Sequence, residues 1–189
     1  MLMKKRTQQE KLHLLVLTGL FAALICLFTA YICHIPMGAN GGYLHFGDTL
    51  IYVAASLLPQ PYALLAAAIG GGLADLLTSP MWAPATVIIK ALITLPFTWK
   101  AQKLLCTRNR IAPFLSWIIS TLGYYLAEGL IFGSYAALVT SIMGSALQSG
   151  GSLLFYYLAA GVLDKQDGKA RLFQEERMEK FHGSDSLYL

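Results

Sequence analysis

Charge is what this 189-residue sequence has least of: 13% of its residues are charged, about half the share of an ordinary soluble domain. With 56% hydrophobic residues and a mean hydropathy of +0.57, a soluble helical core is a poor description of the chain. The cysteines are also few. Cys26, Cys33 and Cys106 have no CxxC spacing and read as small packing residues, so neither a thiol metal site nor a redox pair is expected. No GxxxxGK[ST] loop occurs anywhere, and without one the chain has no phosphate cradle for nucleotide hydrolysis. Any nucleotide-driven work must therefore be powered by another polypeptide. No cofactor, metal or nucleic-acid partner is expected.

What the chain does have is a succession of apolar runs near twenty residues long, the length that crosses a bilayer as a helix. The first lies in "MLMKKRTQQEKLHLLVLTGLFAALICLFTAYIC". It is longer than the apolar region of a signal peptide and lacks an A-x-A-like site, so it reads as a retained span. Six helices are predicted, at 12–33, 47–60, 61–79, 82–105, 111–136 and 141–164. Pro59-Gln60-Pro61 ends the second, and Pro84 and Pro113 fall in the first turns of the fourth and fifth. Merging helices two and three into a re-entrant hairpin is the alternative. The organisation expected is a cytoplasmic segment at 1–11, a membrane domain at 12–164 and a cytoplasmic tail at 165–189.

Thirteen of the fourteen Lys and Arg residues lie before helix one, around the link between helices four and five, or after helix six. The connections near 34–46, 80–81 and 137–140 carry none. The positive-inside rule then puts both termini in the cytoplasm and favours six spans. The fold class expected is an all-α integral membrane protein, a six-transmembrane-helix bundle.

The fourteenth cation, Lys90, falls inside helix four, and Asp48, Asp75 and Glu128 also fall at membrane depth. Ionisable groups there are costly unless paired or wetted, so each is a functional-site hypothesis. With Gln148, and with Asn40, Tyr43 and His45 of the long first loop, they gather in the outer half, which suggests a pocket open to the outside. Tyr124 is a stacking candidate. Other readings stand beside these. Asp48 could cap helix two, and Asp75 and Lys90 could form a structural ion pair. His45 could merely orient its loop, and Gln148 could bond a helix backbone. Tyr124, Tyr125, Tyr135 and Trp82 could belong to an interfacial belt. In helix one, Thr18, Ala22, Cys26 and Ala30, with Gly19 and Ala23 alongside, make a small-residue stripe. It suits either packing within the bundle or docking of a separate membrane subunit.

The run "GGYLHFGDTLIYVAASLLPQPYALLAAAIGGGLADLLTSPMWAPATVIIKALITLP" resembles the substrate-binding S components of energy-coupling factor (ECF) vitamin transporters. The resemblance covers about residues 12–164. It is carried by His45-Phe46-Gly47-Asp48, by Gly70–Asp75, and by Ala83-Pro84-Ala85-Thr86 followed by Lys90; "YYLAEGLIFG" and "GSALQ" are weaker, and Ser145 stands near a position where relatives often have Asn. The resemblance implies a six-helix bundle that takes a vitamin or its precursor from outside. It further implies a transmembrane partner and two cytoplasmic ATPases, with Ala22, Ala23 and Cys26 facing that partner and loop one with helices four to six lining the pocket. Carboxylates, one Lys, one His and tyrosines suit a small flat solute, with a pyrimidine or pyridine type as the expectation. A self-sufficient facilitator, a membrane scaffold and an intramembrane enzyme using His45, Asp75 or Glu128 are the competing classes.

Overall fold

The computed structural model describes residues 7–32, 35–37, 42–133 and 138–173, without the side chains of 35–37, 42–44 and 138–143. Among the described residues six α-helices run in order: α1 (Gln8–Ala30), α2 (Asp48–Leu57), α3 (Gln60–Thr78), α4 (Ala83–Leu92), α5 (Thr107–Phe132) and α6 (Leu138–Lys165). A 3-10 turn at Pro80–Trp82 leads into α4. Four of these helices, α1, α3, α5 and α6, are long and apolar enough to cross a membrane, whereas α2 and α4 are short. At ten residues each, the short ones rise about 15 Å, half a hydrocarbon core. The all-helical expectation omits one feature. Ile35–Met37 (β1) and Gly42–Leu44 (β2) pair antiparallel, Ile35 opposite Leu44, in the connection before α2.

The sequence explains most of the boundaries. Thr7 caps α1 reciprocally with Glu10, a capping box. Gly133, at φ +67°, closes α5 in the left-handed conformation that glycine tolerates. The fourth helix is much shorter than the 82–105 expected. Pro96 lacks an amide hydrogen and its ring clashes with the carbonyl four residues back, at Leu92, where α4 stops. Residues 93–106 continue as turns. Helix five starts at Thr107, earlier than expected, and this puts Pro113 inside the helix instead of in its first turn.

Backbone outside a helix must find its partners elsewhere, and much of the turn segment finds them in side chains. Ser116 donates to the Ile93 carbonyl (2.8 Å), and Arg108 to those of Pro96 (2.7 Å) and Leu95 (3.3 Å). Asn109 donates to Thr98 and Leu104 (both 2.9 Å) and accepts from the Thr98 amide (2.7 Å). The Asp164 carboxylate accepts from the amides of Leu104 (2.7 Å) and Leu105 (3.0 Å). Lys169 donates to the carbonyls of Ser56 (2.9 Å), Ala101 (2.8 Å) and Trp99. Burial pushes the Lys169 ammonium below its usual range, while the nearby Cys106 and Asp164 pull it back.

Helix α3 is the centre of close packing. A methyl group at Gly70 would meet the Ala22 carbonyl oxygen at 2.6 Å, one at Gly71 the Lys90 Cγ at 2.8 Å, and one at Gly72 the Val87 Cγ2 at 2.5 Å. Three consecutive glycines thus let α1 and α4 both lie against α3. The inner core between α2, the turn segment and α6 is aromatic: Tyr52 stacks on Phe97 at 5.1 Å, and Tyr156 meets both edge-on.

Candidate functional site

The short helix α2 is a ruler for the bundle. Asp48 opens it, and Ser56, near its other end, meets Lys169 among the basic segments. The candidate site lies at the Asp48 end. Asp48 is the first helical residue, not the cap expected. Gly47 is the cap residue, with no side-chain cap bond. The Asp48 carboxylate turns inward: its Oδ1 pairs with Lys90 Nζ at 2.6 Å and its Oδ2 accepts from Gln148 Nε2 at 3.0 Å. Asp48 and Lys90 are each 1% exposed. One carboxylate therefore ties α2, α4 and α6 together across 42 and 100 residues of sequence.

Of the readings open in the sequence, a structural Asp75–Lys90 pair is not the one formed, since Lys90 pairs with Asp48. Asp75 instead accepts a short hydrogen bond from Thr86 Oγ1, which lies 3.0 Å from the Tyr124 hydroxyl. Distance along the helices explains the exchange. Lys90 is one turn further into α4 than Thr86, out of line with Asp75, which lies one turn before the end of α3. The Lys90 ammonium stands 5.6 Å from the centre of the Tyr124 ring, within cation–π range. Trp82 meets Tyr124 edge-on at 6.0 Å and Phe132 at 5.7 Å, so it packs within the protein. Glu128, 7% exposed, lies on α5 one turn from each of Tyr124 and Phe132. The structure thus brings together Asp48, Asp75, Lys90, Tyr124 and Gln148, and puts Glu128 on the same run of α5.

His45 is buried just before α2. Its Nδ1 accepts from the Gly47 amide at 3.0 Å, and its imidazole is close enough to Asp48 to act on it electrostatically. Phe46 seats against α6, where a methyl group at Gly151 would lie 2.1 Å from its ring, and packs at 5.5 Å on Phe155. Asn40 and Tyr135 lie outside the described residues, as does the side chain of Tyr43, whose backbone belongs to β2.

Sequence reasoning missed Thr86, although Ala83-Pro84-Ala85-Thr86 had drawn notice. It also missed Trp117 and Thr121. The Trp117 Nε1 and Thr121 Oγ1 atoms are buried with no hydrogen-bond partner among the described residues. Their spacing to Tyr124 and Glu128 was the available signal.

The small-residue stripe divides. Thr18, Ala22 and Ala30 are buried within the chain; Thr18 bonds the Leu14 carbonyl (2.6 Å) and Ala22 lies against Gly70. That occupancy removes them from docking. Gly19 and Ala23 are exposed, Cys26 is half-buried, and nothing approaches within 4 Å of where a Gly19 methyl group would be. At the basic end a cavity of about 550 Å³ is lined by Glu10, Leu14, Trp99, Lys100, Lys169 and Phe173, among others. Among the described residues no group of three or more His, Cys, Asp or Glu side chains is arranged to hold a metal.

Apolar helices around a buried, charged cluster define a multi-pass membrane protein whose buried acidic and basic side chains, among the described residues, gather near one end. Residues 9–164 match the family described as ECF-type riboflavin transporter, S component, and the chain belongs to that family. It is accordingly a vitamin-binding subunit of a transporter and not an enzyme. The chain is also similar to an uncharacterised protein from the gap 3′ region of Pyrococcus woesei, 30% identical over 106 residues, which are 56% of this chain and 72% of that protein.

Proposed function

We propose that this chain is the solute-binding subunit of an ECF-type uptake transporter, with the Asp48 end facing outward and both termini in the cytoplasm. On this reading the six helices form the membrane domain, residues 12–164, α2 and α4 spanning only with the help of their connections, and residues 1–11 and 165–189 flank it. The solute is a planar nitrogen heterocycle of vitamin type. Riboflavin, whose fused rings include a pyrimidine-dione, is the first probe because the family bears its name. The observation that carries the reading is the buried network linking Asp48, Lys90 and Gln148. Lys90 is already neutralised there, so it does not demand an anionic solute. Asp75, Glu128 and His45 supply polar contacts at the same end and Tyr124 an aromatic face.

The family relation implies a transmembrane partner and two ATPase subunits for transport itself, and the absence of a phosphate-binding loop from this sequence is consistent with that. The α1 face left for that partner is Gly19, Ala23 and Cys26, where small side chains permit close helix approach.

Titration of the purified protein by flavin fluorescence, with a pyrimidine and a pyridine vitamin run by calorimetry, tests the solute. Binding of one probe, weakened at least tenfold by Glu128→Gln or Asp75→Asn, is expected. Full affinity in both variants removes those carboxylates from the site. Co-purification with membrane and ATPase subunits tests the assembly.

A further inference from the structure

The fifth helix carries more polar groups along its length than the cluster around Lys90 uses. Trp117, Thr121, Tyr124 and Glu128 are spaced by four, three and four residues, so on a helix they form one narrow stripe. Neighbouring sides of α5 have other uses. Ser116 bonds the Ile93 carbonyl and Gly123 lies against Ile89, which assigns that side to α4. Ile111, Leu115, Ile118, Leu122 and Leu126 are exposed and apolar, as a lipid-facing side must be. The polar stripe lies between the two.

At its Glu128 end the stripe joins the cluster described above, through the bond between Tyr124 and Thr86. At its other end two donors stand without a partner among the described residues. Trp117 Nε1 and Thr121 Oγ1 are both buried. An indole N–H can only donate, and a threonine hydroxyl both donates and accepts. A buried polar atom left unsatisfied costs about 1–3 kcal/mol, so a pair of them one turn apart, in line with a binding cluster, calls for an occupant. Thr121 and Glu128 are separated by about 10 Å along the helix axis, which is the scale of a fused-ring heterocycle.

Resting on the proposed solute-binding role, we infer that Trp117 and Thr121 extend the site inward along α5. Their N–H and O–H donate to acceptor atoms, ring carbonyls or ring nitrogens, at the inner end of the solute, and Glu128 accepts N–H or O–H groups from its outer part. The solute therefore enters with its acceptor-rich edge first. An all-donor cation leaves the Trp117 indole N–H without an acceptor and is disfavoured.

The test uses the full chain in detergent with riboflavin as the probe, followed by flavin fluorescence, and with Trp117→Phe and Thr121→Val, which keep size and remove the donor. Each variant is expected to weaken binding tenfold or more while leaving the melting temperature of the solute-free protein unchanged. Unchanged affinity in both variants, as when only water meets these donors, overturns the inner subsite and leaves the solute-binding role intact. A lowered melting temperature without solute also overturns it, because the donors would then serve the fold. If the wild-type chain binds neither riboflavin nor the pyrimidine and pyridine probes, the solute-binding reading falls and takes the subsite with it.

Discussion

The two ends of α2 are each held by a lysine, and the two lysines are held differently. Lys90 is sealed from solvent and bound to a single carboxylate, with an aromatic ring beneath it. Lys169 makes no ion pair among the described residues. It donates to three backbone carbonyls, that of Ser56 near the end of α2 and those of Trp99 and Ala101 in the turn segment after Pro96. Removing the cation bonded to a buried carboxylate leaves a poorly compensated charge, whereas carbonyls that lose a donor remain neutral dipoles. The first arrangement is sensitive to any group that competes for Asp48 and suits a site that responds to a solute. The second is a fastening.

The sharpest way to break this contrast is Lys90→Met. With Asp48 buried and unpaired, the loss is expected to be about 3–5 kcal/mol, read as a large fall in thermal stability together with lost solute binding. Adding Asp48→Leu to that variant should restore a substantial part of the stability and none of the binding. A double variant no more stable than the single one would mean that the pair is not the source of the effect.

Lys169→Met comes next. It is expected to cost about 1–3 kcal/mol, because Lys169 is only partly buried and water can reach some of the carbonyls. Solute affinity should change less than about twofold. Should Lys169→Met weaken binding as severely as Lys90→Met, the ends of α2 are one cooperative unit and the contrast fails.

Glycines sharpen the same comparison on a smaller scale. Gly71→Ala pushes a methyl group against the Lys90 stem and should destabilise by about 1–3 kcal/mol. Gly144→Ala, with open space around it, should be neutral or stabilising by up to about 1 kcal/mol. The smallest effect is expected for Ser152→Ala. The Ser152 hydroxyl is fully buried and has no partner among the described residues, so its removal should leave the melting temperature unchanged or slightly raised. A clear loss would reveal an acceptor for it.

Much of this was legible in the sequence, because lipid makes ionisable residues conspicuous. Asp48, Lys90, Asp75 and Glu128 stand out in an apolar chain, and the structure buries all four. Pairing was not legible. Choosing between Asp48 and Asp75 for Lys90 needs the offset between helices, which depends on how closely Gly71 and Gly72 let α4 approach α3. Pro96 was in plain view, and its clash with Leu92 could have ended helix four correctly. The apolar run across it suggested a continuous span because turn segments buried in protein can be as apolar as helix. Uncharged donors such as Trp117 and Thr121 carry no such flag. Only their register with Glu128 distinguishes them.

The break after Leu92 has one more consequence. Between the charged cluster and the basic end lie fourteen residues of turn, 93–106, many of whose carbonyls are claimed by Arg108, Asn109, Ser116 and Lys169. An intact helix yields only when its whole ladder of bonds gives way. This floor is laced by individual side chains, each removable by a single codon, so its tightness can be adjusted stitch by stitch without shortening any of the four long spans.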